Sequence, residues 1–403
     1  MEQVLYELPE GWDWQPLTAV CTPSRKTVTP DNTRLYNYIG LENIESNTGK
    51  LTNFLPSKGS EINSTKVEFK KGMVLYGKLR PYLNKVFVAE FDGVATTEII
   101  PFDCYENVDA QYLAYFLRTQ YFVELAMNNC SGARMPRATT NLFQKIAQVP
   151  ITSIDNQKRI VEKLDALLTR IDTAIEHLQE SITLADALYA SSLDQVFEEV
   201  YKSYQTKCLS SLTTKIGSGA TPKGGQKAYK DSGISLIRSL NVYDSVFKPE
   251  GLAFIDDNQA SKLSNVEVET GDVLLNITGA SIARCCIAPD DLLPARVNQH
   301  VCIIRPNELL DSQYLNYLLV SPKFKSALLF QGAGGATRQA LTKAMISNLE
   351  IPLPPLNVQL ELVGKVQTLG EKHRLLKAQF SFKVSDLIDL KASILDSAFK
   401  GEL

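Results

Sequence analysis

The side chains best suited to chemistry in this sequence are cations and amides gathered in turn-rich stretches. Arg25-Lys26, Lys78 with Arg80, Lys85, and Arg134 with Arg137 lie in the first 150 residues. Lys223, Lys227, Arg238 with Asn241, Arg284, Asn298-Gln299 and Arg338-Gln339 lie between residues 200 and 350. Arg and Lys neutralise phosphates, and Arg, Asn and Gln can each offer two hydrogen bonds to a base edge. For any one of these residues a solvated surface position is the simpler account. As sets they carry more weight, because they fall in loops and strand ends at corresponding places in the two halves of the chain.

Catalytic constellations are missing. No G-x-x-x-x-G-K-[ST] occurs, and Gly217-Ser218-Gly219 leads into Thr221-Pro222-Lys223, which reads as a turn rather than a nucleotide cradle. Pro354-Pro355 is followed by Leu356, so the N/D-P-P-Y/F tetrapeptide of adenine methyltransferases is absent. Glu68-Phe69-Lys70 has the E-x-K spacing of some nucleases, which a chain of this length contains by chance. His177, His300 and His373 are isolated from other metal-ligating side chains. Seven scattered cysteines, without a C-x-x-C, suggest reduced thiols packed as small hydrophobes in a cytoplasmic protein. No catalytic, cofactor or metal site is expected in this chain.

Bulk charge gives little direction. The formal net charge is −3. Residues 151–200 hold 4 Lys+Arg against 10 Asp+Glu, so that segment is a poor surface for phosphates. Residues 201–352 hold 16 against 13. Any basic face must come from local clustering. No apolar run is long enough to span a bilayer, and Met1 to Glu10 lacks the apolar core of a signal peptide, so no membrane association is expected.

The elements that would position these side chains are written twice. At an offset of 202 positions, Asp109, Gln111, Tyr112, Leu113, Tyr115 and Leu117 fall on Asp311, Gln313, Tyr314, Leu315, Tyr317 and Leu319. Pro150 falls on Pro352, Gln157 on Gln359, and Leu193-Asp194 with Phe197 on Leu395-Asp396 with Phe399. Each half begins with short β-rich runs between turn signals, such as Val74–Tyr76 and Val273–Ile277. One apolar-periodic helix follows in each, over 110–125 and 312–329. A proline-containing exit then leads into a long helix.

Ile160, Leu164, Leu167, Ile171, Ile175, Leu178 and Ile182 recur at steps of three and four, and so do Leu362, Val366, Leu369, His373, Leu376, Phe380 and Val384. These are coiled-coil seams. The linker 199–209 reaches at most roughly 35 Å, so the second helix should return antiparallel along the first. The expected fold is α+β. Two homologous globular modules, residues 1–152 and 200–354, precede long helices over 153–199 and 355–403, which form an antiparallel coiled coil with pseudo-two-fold symmetry.

This plan resembles the specificity (S) subunit of type I restriction-modification systems over nearly the whole chain. The likeness rests on the duplicated layout and on local motifs: Leu8-Pro9-Glu10-Gly11-Trp12, Ile216-Gly217-Ser218-Gly219-Ala220-Thr221-Pro222, Ile237 to Val242, Gly271-Asp272-Val273-Leu274, Thr337-Arg338 through Pro354, and the ending Ala398-Phe399-Lys400-Gly401-Glu402-Leu403. Gly132 to Arg137 in the first module echoes the corresponding second-module loop only loosely. The resemblance implies a non-catalytic host-defence subunit whose two target recognition domains each read one half of a bipartite double-stranded DNA site. It implies docking of methyltransferase (M) subunits, two in number, and of motor-nuclease (R) subunits through the complex. S-adenosylmethionine, ATP and Mg then belong to those partners. A competing reading is a coiled-coil scaffold whose globular ends bind proteins.

If the helices set the gap between the half-sites, inserting four residues at matched places in both should lengthen it by about 6 Å. The preferred spacer should grow by one or two base pairs, at roughly 3.4 Å each. Selection on random duplex DNA checks this, and an unchanged spacer contradicts it.

Overall fold

The computed structural model describes residues 3–333 and 340–403. It divides into two compact units, one joining Met1–Gln179 to Ser381–Leu403 and the other holding Glu180–Phe380. Each unit combines one module, the start of the long helix that follows it, and the C-terminal end of the other long helix. The long helices run Ile154–Ser203 and Leu356–Ala398, 50 and 43 residues.

In the first unit, a four-stranded antiparallel sheet has the order Cys21–Pro23, Ile99–Cys104, Val74–Gly77, Val86–Val88. The second unit repeats it with Thr213–Ser218, Val301–Pro306, Val273–Asn276 and Cys285–Ile287. Apolar runs with few breaks bury these strands on both faces. Val74, Leu75, Val273, Leu274 and Leu275 are fully enclosed. A second sheet in each unit contains one parallel pair, Tyr38–Ile39 with Gly93–Ala95 and Ile234–Ile237 with Ala295–Val297. These second sheets differ at one edge. The first unit adds Thr27–Val28 beside Lys66–Phe69, whereas the second adds Ala253–Ile255 beside Ile234–Ile237.

The single helices expected over 110–125 and 312–329 are each two helices. Ala110–Leu117 gives way to Gln120–Asn128 at Thr119, whose hydroxyl accepts from Phe122 N at 3.2 Å and caps the second helix. Ser312–Val320 gives way to Pro322–Ala333, because Pro322 cannot continue a helix but suits the first turn of a new one.

The same polar lock joins module to long helix in both units. Gln157 is fully buried. Its Oε1 accepts from Asp109 N at 2.9 Å, and its Nε2 donates to the carbonyls of Thr152 (2.8 Å) and Asn107 (3.1 Å). Gln359, equally buried, accepts from Asp311 N at 2.8 Å and donates to Pro354 O and Leu309 O, both at 2.9 Å. Beside each lock a buried tyrosine donates to the proline carbonyl of the exit strand, Tyr112 to Pro150 O and Tyr314 to Pro352 O, both at 2.8 Å. Each of these tyrosines also packs on a phenylalanine near the end of a long helix, Tyr112 on Phe399 and Tyr314 on Phe197.

Within each unit the two helix segments run antiparallel. In the first, Lys391 pairs with Asp172, while Leu164 and Leu168 share a core with Leu395 and Phe399. In the second, Asp186 meets His373 (2.7 Å) and Lys377 (2.8 Å), Tyr189 stacks on His373, and Leu193, Phe197 and Val200 share a core with Val363 and Val366. Leu376, assigned to the seam by spacing, is exposed, and Lys377 takes the half-buried place. The seam is thus partly ionic. Its hydrogen bond to Lys377, and secondarily that to His373, holds the Asp186 carboxyl below the usual carboxylate range. Half-exposed pairs of this kind add little stability but fix register.

Replacing Gln359 with Leu leaves the Asp311 amide and two carbonyls buried without partners. Each unmet group costs about 1–3 kcal/mol, so the urea midpoint of the protein should fall clearly, and Gln157→Leu should act alike. An unchanged midpoint would show that water replaces the lock.

Candidate nucleic-acid interface

In the first unit, two loops are tied into one surface by main-chain hydrogen bonds. Ala138 N donates to Lys78 O at 2.9 Å, Arg80 N donates to Pro136 O at 2.7 Å, and Leu79 bridges Arg137. The loop after strand Val74–Gly77 is bent by left-handed residues at Arg80 (φ 53°) and Asn84 (φ 50°). The other loop is the tip of a hairpin, Cys130–Ser131 paired with Arg137–Ala138 and turned through Gly132 at φ 88°, a conformation that favours glycine. Lys78, Arg80, Arg134 and Arg137 are thereby brought together, with Tyr82 and Met135 exposed beside them. Arg137 pairs with Glu98 at 3.1 Å. Arg80 and Arg134 are exposed and make no side-chain hydrogen bond or ion pair to a described residue.

Three other first-module candidates lie elsewhere. Arg25 and Lys26 sit between strands Cys21–Pro23 and Thr27–Val28, where Lys26 pairs with Glu68 at 2.6 Å. Lys85 turns inward, and its ammonium donates to Leu41 O at 2.6 Å. Lys85 thus holds a loop in place instead of facing a ligand.

The second unit repeats the arrangement. Leu341 N donates to Ile277 O at 2.8 Å and Thr278 bridges Ala340, so residues 340–341 are tied to the loop after strand Val273–Asn276. Arg338 and Gln339 lie outside the described residues. An open groove of about 400 Å³ lies here, lined in part by Leu240, Tyr243, Thr278, Ser281, Arg284 and His300. His300 is held between two partners, with Thr278 Oγ1 2.6 Å from Nδ1 and Gln299 Nε2 3.0 Å from Nε2. Gln299 Oε1 accepts from Thr221, which extends the chain of bonds to the Gly217–Pro222 turn.

Two second-module candidates prove to be scaffold. Asn241 is fully buried: its Oδ1 accepts from Arg238 N at 3.1 Å, and its Nδ2 donates to Lys248 O and Glu250 O. Asn43 makes the matching bonds in the first module, to Gly40 N and Asn53 O. Asn298 is also buried, with its Oδ1 accepting from His300 N at 3.0 Å. Asx side chains close local turns in this way, so both asparagines shape the interface from beneath it. Arg238 stacks on Tyr229 and donates to Gly251 O. Lys223 and Lys227 are exposed around the Gly225–Ala228 turn.

Arg284 lies 4.5 Å from the Tyr243 ring centroid, and Lys248 Nζ lies 4.1 Å from the same centroid. Sequence reading missed Tyr243 and Lys248. Their meeting depends on the hairpin Val242–Tyr243 with Val246–Phe247, too short to leave an alternating pattern. Elsewhere, burial raises the Cys104, Cys286 and Cys302 thiols to about 12, so these three stay protonated and serve as packing.

A family model for the type I restriction modification DNA specificity domain matches residues 9–184 and again 201–380. The chain is similar to the type I restriction enzyme EcoKI specificity subunit of Escherichia coli (strain K12), at 20% identity over 98% of this chain and 90% of that one. It is 26% identical to the EcoDI specificity subunit of Escherichia coli over 56% of its own length, and there it spans about half of the relative, 52%. Among solved structures, a chain from a study of complex assembly and conformational transition in the type I R-M system superposes with a TM-score of 0.81 at 22% identity, covering 99% of this chain and all of that one. The HsdS subunit from Thermoanaerobacter tengcongensis gives 0.58 at 21%, covering 99% of both. These two likenesses establish a shared fold. With both modules matched, the chain belongs to the type I restriction modification DNA specificity domain family and carries its domain twice.

Proposed function

We propose that this chain reads a bipartite duplex DNA target as the non-catalytic specificity subunit of a type I methyltransferase and restriction complex, with one half-site for each module. The observation that carries this reading is the recurrence of one loop pair in both units. The loop after the third strand of the main sheet order is tied by main-chain bonds to the segment leading back to the long helix. In the first module that surface presents Lys78, Arg80, Arg134 and Arg137. In the second it presents Arg284 with the Thr278–His300–Gln299 network. Exposed cations on rigid loops contact phosphates, and a subset reaches base edges.

Partners follow from the family. Methyltransferase subunits, two by the internal duplication, would bind S-adenosylmethionine and modify adenine. Motor-nuclease subunits would bring ATP and Mg. In this reading methyltransferase subunits dock on the long-helix segments, which bear exposed Leu184, Leu188 and Leu375 in the second unit and Phe382 in the first.

The test is duplex binding across a salt series. Wild-type affinity should fall steeply with salt, and Arg80→Ala with Arg134→Ala should lower both the affinity and the slope, by about 0.9 for each phosphate that is no longer neutralised. Salt-independent binding, or a double variant with unchanged slope and target preference, would contradict the assignment.

A further inference from the structure

Arg284 is half-buried, its guanidinium carbon lies over the Tyr243 ring at 4.5 Å from the centroid, and that guanidinium makes no hydrogen bond or ion pair to a described residue. The ring beneath it is held firmly. Lys325 pairs with Asp244, Asn316 Nδ2 donates to Ser245 Oγ at 3.0 Å, and Ser245 N donates to Cys285 O at 2.7 Å. The hairpin carrying Tyr243 is thereby tied to the helix pair Ser312–Val320 and Pro322–Ala333 and to strand Cys285–Ile287. Arg284 itself is set by its backbone, which donates to Ser281 O at 3.2 Å and accepts from Asn276 N at 2.8 Å. Lys248 lies against the same ring with its ammonium also unpaired.

The first module shows that this is a choice of side chain and not of fold. Strand Val86–Val88 corresponds to Cys285–Ile287, so Lys85 stands in the place of Arg284. The preceding residue is left-handed in both, Asn84 at φ 50° and Ala283 at φ 64°. Lys85 nevertheless turns inward to Leu41 O. The Ile44–Leu51 bridge matches the Val242–Phe247 pair, so Glu45 stands where Tyr243 does. One backbone thus presents a free, oriented guanidinium in one module and an internally bound ammonium in the other.

We propose that Arg284 reads a guanine in the major groove of the second module's half-site, that Tyr243 is its positioning residue, and that Lys248 contacts a neighbouring phosphate. The inference rests on the reading of the chain as a DNA specificity subunit. A guanidinium held over a ring is limited in how far it can swing and keeps its edge donors for a ligand, which suits the paired O6 and N7 acceptors of guanine. A phosphate needs no such orientation and is met equally well by the flexible Lys248.

The experiment methylates a library of randomised duplexes with the full chain and its methyltransferase partner, then sequences the modified fraction. Wild type should yield a two-part motif with a guanine in the second-module half. Arg284→Lys keeps the charge but removes the paired donors. It should relax the preference at that one position by on the order of 10-fold or more, while the first half of the motif stays intact and reports correct folding. Tyr243→Leu should relax the same position, and Tyr243→Phe should preserve it. Lys248→Ala should weaken methylation evenly across sequences. An Arg284→Lys motif that is unchanged, or uniformly weaker with no position relaxed, overturns the guanine assignment. An intact preference in Tyr243→Leu overturns the positioning role. Absence of any two-part motif from the wild type overturns the underlying reading as well.

Discussion

The buried glutamine at the start of each long helix is the constraint on which the remaining structure depends. From its place on a long helix, each of Gln157 and Gln359 bonds two main-chain groups in the turn before the first module helix and one just after the exit strand. A buried amide with all partners in place is rigid, because any tilt would strand a donor or acceptor in a low-dielectric interior. The neighbouring tyrosine adds a bond to the exit strand and a ring contact to the end of a long helix, so each module is clamped from two sides. A recognition surface of short loops can hold base-reading geometry only on such a mount.

Charge shows a similar division between scaffold and surface. The chain is slightly acidic overall, yet it presents basic loops, because many of its cations serve internal structure. Arg305 forks onto Asp272 at 2.8 and 2.9 Å, and Arg296 pairs with Glu267 at 3.2 Å. Arg118 is buried, stacked on Tyr115 and bonded to Thr48 O. Lys391, Lys377 and His373 join the helix segments to Asp172 and Asp186. The cations left over, Arg80, Arg134, Arg284 and Lys248 among them, lie on the two loop surfaces.

Much of the fold was legible in the sequence, and for physical reasons. The 202-residue offset preserves the residues that build each lock, and apolar spacing revealed the long helices because apolar residues recur at steps of three and four along them. The helix breaks at Thr119 and Pro322 were missed because apolar periodicity runs through them, whereas capping and proline geometry act on a single residue. Leu376 was misplaced because ionic seam positions do not register as apolar. Among candidate site residues, sequence placed them in loops and strand ends but could not separate exposed from internal side chains. Asn241, Asn298 and Lys85 have the side chains of DNA contacts, yet the asparagines close turns and Lys85 bonds the Leu41 carbonyl. The Tyr243 stack needed a hairpin of two-residue strands that leaves no pattern to read.

The most direct measurement is methylation sequencing of a genome in which this chain is expressed with its methyltransferase partner. A pair of modules that each read one half-site should place modified adenines in a motif of two short specified blocks separated by a fixed unspecified gap. Modification in one continuous motif, or none attributable to this chain, would contradict that division of labour.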